Sequence, residues 1–165
     1  AYRYENEMYV SHIISYLIQH GLSFECQYVS DFKDWGTLEV WREEQEKYKT
    51  FFFDIDGVFL YNTGKYGEKN WYNTLDPIRE NVELLKELSD AGHQLIFTTS
   101  RTEDSLQYFV QMLEESEIKY KQIITGCYHS QRIIVNDFAP TNPYPSCRSI
   151  SIPRNSQLKD YINEN

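Results

Sequence analysis

Two aspartates one residue apart, Asp54 and Asp56, end the apolar run Phe51-Phe52-Phe53, with Gly57 directly behind. Downstream, "LIFTTSR" ends in Thr98-Thr99-Ser100-Arg101, and "RIIVNDF" carries Asn136-Asp137. Carboxylates gathered at one point repel each other unless a divalent cation neutralises them, and an all-oxygen donor set favours Mg2+. One carboxylate in such a site can attack phosphorus while the metal offsets the charge of the incoming phosphate. The second, two residues on along an extended backbone, projects to the same side and suits proton transfer. Hydroxyls and backbone amides at the second strand end suit phosphoryl oxygens.

These residues need a frame that brings strand ends together. Apolar runs at Thr50–Phe53, in "HQLIFTTSR", in "YKQIITG" and in "RIIVNDF" alternate with helical patterns. Strand-helix alternation predicts a parallel sheet with crossover helices, and such sheets collect ligands at their carboxyl edge. The triple-Phe run reads as a strand buried on both faces. Asp76 is the expected N-cap of the next helix, with Pro77 at its first position and Gly92 beyond its end. "TEDSLQYFVQMLEESE" reads as a second crossover helix.

"FFFDIDGVF", "LIFTTSR" and "RIIVND", in this order, resemble the haloacid-dehalogenase superfamily of phosphohydrolases over about Thr50–Asn155. The resemblance implies a Rossmann-like three-layer α/β sandwich with a central parallel sheet. It also implies a Mg2+-dependent phosphomonoester hydrolase working through an aspartyl-phosphate. Asp54 resembles the nucleophile, Asp56 the general acid/base, and Thr99 the phosphate-binding hydroxyl, with Ser100 beside it. Asp54, Asp56 and Asp137 resemble the metal ligands. The family's usual lysine after a glycine is absent here, since Gly126 is followed by Cys127-Tyr128-His129. Arg132 is the nearby cation expected to face phosphate in its place.

The resemblance further implies a small phosphorylated substrate, a sugar phosphate, in bacterial surface-polysaccharide or nucleotide-sugar biosynthesis. A catalytically silent phosphosugar-binding or assembly domain and a polynucleotide-end phosphatase are the alternatives. The stretch from Gly57 to Asp76 is too short for a large cap, so a flap with Tyr61, Tyr66 and Trp71 is expected, with Lys65 or Lys69 as a further source of positive charge. Arg148 or Arg154 in the carboxyl segment is a second candidate for an anionic group, set against ordinary loop packing.

Residues 1–48 form a separate expected segment, and 49–165 the phosphatase-like domain. "EMYVSHIISYLIQHG" reads as an amphipathic helix stopped by Gly21, and "FECQYVSDF" as a strand. With "FKDWGTLEVW" this segment resembles the end of a sugar-phosphate nucleotidyltransferase, in which Asp34 would be a metal ligand. The alternative is a simple extension of the fold, with Asp34 a helix-approach residue; on either reading Thr37 is the expected N-cap of the helix that follows. Fusion to a nucleotidyltransferase domain and self-association at an uncapped site are the expected assemblies.

Composition sets bounds. The 165 residues are 41% hydrophobic and 16% aromatic, enough for a packed core. Sixteen basic against 25 acidic residues give a net charge of −9. That disfavours a nucleic-acid partner, because phosphate neutralisation dominates such affinity. Three widely spaced cysteines form no CxxC pair, which fits reduced thiols in a cytoplasm. The apolar runs are too short to cross a bilayer, so no membrane partner is expected.

Overall fold

The computed structural model describes residues 9–30, 32–64, 75–140 and 145–162. The chain divides into two units, residues 1–41 and 42–165. In the first, α1 (Val10–Gln19) ends where Gly21 adopts φ +87°, and the Leu22 N–H returns to Leu17 O at 3.1 Å. That closure is the glycine-terminated helix end expected from the sequence. The segment "FECQYVSDF" forms no strand in its described part and is exposed throughout. Among the described residues its alternation has no neighbouring strand to pair with, and backbone groups left in water gain nothing from extension.

Helix α2 (Leu38–Lys47) is capped as expected. Thr37 Oγ1 accepts the Val40 N–H at 3.3 Å. Asp34 accepts the Gly36 N–H at 2.8 Å, an Asx turn leading into the helix.

The second unit is mixed α/β around an open parallel sheet. β1 (Thr50–Phe53), β2 (Gln94–Thr98) and β3 (Gln122–Ile124) lie in the order β1-β2-β3. Phe53 is level with Phe97, and Thr98 with Ile124, so the strands end together. α3 (Arg79–Asp90) connects β1 to β2. A 3-10 turn (Glu103–Leu106) running into α4 (Gln107–Glu115) connects β2 to β3. A last helical turn, α5, spans Lys159–Ile162.

Alternation along each strand sends Phe53, Leu95 and Phe97 to the side where α3 and α4 contribute Leu84, Leu85, Leu88, Phe109 and Leu113. Phe53, Phe59, Phe97 and Phe109 meet edge to face, with centroids 5.2, 5.8 and 5.1 Å apart along that chain of rings. Such pairs add ~0.5–1.5 kcal/mol each beyond area burial. This aromatic block fixes the two residues that immediately precede Asp54 and Thr98.

Three expectations change. Phe52, on the opposite side of β1, is 51% exposed, so this strand is covered on one face only. Helix α3 starts at Arg79 rather than at Pro77, and Asp76 does not cap it. Residues 76–78 instead pair back on the loop after β1, through Tyr61 N–H to Asp76 O (2.9 Å) and Ile78 N–H to Phe59 O (2.8 Å). The first of these bonds engages Asp76 O, which as the cap carbonyl would have accepted the first intrahelical bond.

The third change concerns "RIIVNDF", which joins no strand. Ile133 and Val135 are 78% and 89% exposed. Apolar, β-branched composition suits a strand, but without a paired edge it cannot make one. The flap residues Lys65, Tyr66, Lys69 and Trp71 lie outside the described residues. Its described ends are held together by the Leu60–Pro77 antiparallel bridge.

Candidate functional site

The chain turns sharply after β1. Ile55 O accepts the N–H groups of Val58, Phe59 and Leu60, and the Gly57 N–H donates to Leu60 O at 2.7 Å. Gly57 sits at φ +82°, where a Cβ would also stand 2.8 Å from Arg154 Cγ. Only glycine meets both conditions without strain. The tight turn leaves Asp54 and Asp56 at the carboxyl edge of the sheet.

Asp56 faces Arg101. The guanidinium Nε donates to Oδ1 and Oδ2 at 3.1 and 2.9 Å, and Nη2 to Oδ1 at 2.6 Å. Arg101 is fully buried, and its Nη1 also donates to Ser105 O at 3.3 Å. Both carboxylate oxygens of Asp56 are thus engaged. A buried charge is tolerated only when paired in this way.

Asp54 is half-buried and differently held. Its Oδ1 accepts the Ile55 N–H at 3.0 Å and Arg132 Nη2 at 3.2 Å. Burial pushes its carboxyl above the usual range, while Arg132 and the Ile55 amide pull the other way. The Asp56 charge adds to the upward push, and His129 opposes it from nearby. Arg132 also donates to Thr98 O at 3.5 Å, with its side chain 40% exposed.

Thr99 is fully buried, and its hydroxyl accepts the Arg101 N–H at 3.1 Å. It shapes the turn that aims Arg101 at Asp56. Ser100 is half-buried beside it. Cys127 continues the sheet edge by donating its N–H to Thr99 O at 2.9 Å. Asp137 is not brought to this place. It is exposed, and its carbonyl accepts the Ser146 hydroxyl. Among the described residues no group of three or more His, Cys, Asp or Glu side chains converges as a metal site. The expected Asp54, Asp56 and Asp137 set is therefore not assembled, because the chain around Asp137 does not join the sheet.

The sequence reading missed two residues. Asn81, on α3, is 1% exposed and joins three segments. Its amide donates to Val58 O (2.6 Å) and Ser156 O (3.0 Å), and its oxygen accepts the Leu158 N–H (2.8 Å). Asn155, at φ +64°, donates its N–H to Gly57 O at 2.8 Å. Its side-chain amide pairs both ways with the Asn62 backbone, at 2.8 and 3.0 Å. Arg154 Nη1 reaches Gly64 O at 2.9 Å. The carboxyl segment therefore clasps the turn that carries Asp56. An amide among the apolar positions Ile78, Val82 and Leu85 was the available signal for Asn81.

No family model and no solved structure matches the chain. Among curated proteins, it is 41% identical over 59 residues to the vacuolar-sorting protein SNF7 of Debaryomyces hansenii. That similar protein is named for sorting. The matched part is 36% of this chain, which spans only 26% of that protein.

The similarity overturns the expectation of a Mg2+-dependent phosphomonoester hydrolase in sugar metabolism. The similar protein's name speaks of sorting, not of hydrolysing phosphate esters or making capsules, and its source is not a bacterium. No described helix is long and apolar enough to cross a membrane.

Proposed function

We propose that the carboxyl edge of this sheet is a recognition site for a small phosphorylated ligand. One observation carries the reading: its two arginines are held in opposite ways. Arg101 is buried and committed to Asp56. Arg132 is 40% exposed and rests on Asp54 through a single guanidinium nitrogen at 3.2 Å. A guanidinium so placed can exchange a carboxylate for a phosphate, to which its planar fork is well matched.

His129 adds a second group on the same loop, cationic when protonated. Asp54 can take a counter-charge such as Mg2+ once Arg132 has turned to the ligand. The test is calorimetric titration with glycerol 3-phosphate, with and without Mg2+. Arg132→Ala is expected to weaken binding about tenfold, the scale of one charge-assisted pair. Equal binding by wild type and Arg132→Ala would reject the site.

The matched 59 residues favour a second reading, a part in vacuolar sorting. Its test is expression of this chain in Debaryomyces hansenii cells lacking the similar protein. Restored delivery of a vacuolar cargo would support it, and no restoration by stably expressed chain would reject it.

A further inference from the structure

An open groove lies away from the aspartates, between α4 and β3. It encloses about 510 Å3. Leu106, Val110, Tyr120 and Ile123 supply its apolar lining, and Glu103 and Glu114 its carboxylates. No lysine or arginine lines it. Neither glutamate forms an ion pair with a described residue.

The groove runs beside the free side of β3, which among the described residues pairs only with β2. Such an edge is a template for an additional strand. Glu103 opens the 3-10 turn and Glu114 lies near the end of α4, eleven positions later (114 − 103). At helical rise that separation is about 17 Å. An extended chain covers the same distance in about five residues.

We propose that this groove docks an extended, basic segment of a partner protein as an added strand beside β3. The segment carries a cationic side chain at each end, facing Glu103 and Glu114, and β-branched residues between them over Leu106, Val110 and Ile123. Main-chain hydrogen bonds supply affinity, while the terminal charges set which segment is accepted. The groove's charge makes an acidic segment a poor occupant, since like charges brought together are destabilising.

The test uses the full chain and a fluorescent peptide, Lys-Thr-Val-Thr-Val-Thr-Lys, in which alternation puts both lysines and both valines on one face, followed by anisotropy at low salt. Wild type is expected to bind it and to reject the same peptide with glutamate at both ends. The double variant Glu103→Lys, Glu114→Lys is expected to lose about tenfold in affinity for the lysine peptide, the scale of two exposed ion pairs. The same variant should bind the glutamate peptide instead, which also shows that it has folded. N-methylation of alternate peptide amides should abolish binding if a strand is added. Equal binding of both peptides, an unchanged affinity in the double variant, or full tolerance of N-methylation would each overturn the proposal.

Discussion

Two carboxylate-bearing stretches of this chain look alike in sequence and fare oppositely in the structure. Phe51 to Asp56 and Arg132 to Asp137 are both apolar runs ending in an acid. The first is paired to β2, packed by four phenylalanines, and tied by Asn81 and Asn155 to the carboxyl segment. The second joins no strand, and its isoleucines and valine face solvent. A polar strand end becomes part of a site only where its backbone has a partner. Asp56 acquires Arg101 because the sheet brings β1 and β2 level, whereas Asp137 acquires no place beside it.

The contrast can be broken first at its strongest point. Arg101→Ala leaves the Asp56 carboxylate, 16% exposed, without its guanidinium. Removing one member of a buried pair costs about 3–5 kcal/mol. Chemical denaturation should show that loss, and a change under 1 kcal/mol would mean that the pair is not holding the strand ends. Next is Asn81→Ala, which orphans Val58 O, Ser156 O and the Leu158 N–H. A loss of about 2–3 kcal/mol is expected. Hydrogen exchange should locate the loosening in the turn after β1 and in the carboxyl segment together.

Titration of Asp54 gives a smaller effect of definite sign. Its folded carboxyl is raised above the usual value of 3.8, so the folded state holds its proton more tightly than the unfolded chain does. The contribution is therefore greatest below that value and declines as pH rises through the folded pKa. Asp54→Asn should flatten this part of the stability–pH curve, as followed by thermal melting in acid. At the small end, Asp137→Asn should change stability by less than about 0.5 kcal/mol, since the side chain is exposed. A larger cost for Asp137→Asn would show that the second stretch is better integrated than its exposure indicates.

The parallel strands and their crossover helices were legible in the sequence, because strand and helix patterns alternate at short spacing from Thr50 onward. Asp54, Asp56 and Arg101 were legible for the same reason, as polar groups at the ends of apolar runs. The role of Arg101 was not, since a partner 45 positions away (101 − 56) has no local signature. Thr99 shows the limit of reading a motif by residue type. Its hydroxyl satisfies a backbone amide in the turn rather than facing outward. The clasp of Asn155 on Gly57 joins residues 98 positions apart (155 − 57), and only the folded turn reveals it. In "RIIVNDF" the apolar pattern was legible, but whether an edge receives it depends on the rest of the sheet.

The most direct test of the site turns on the contact between Arg132 and Asp54. If that contact holds the guanidinium away from ligand, Asp54→Asn should release it, since the exposed pair is worth up to about 1 kcal/mol. Titration with glycerol 3-phosphate in a chelator, with no divalent cation present, is then predicted to show about fivefold tighter binding by Asp54→Asn than by wild type. Unchanged or weaker binding by that variant would contradict the account.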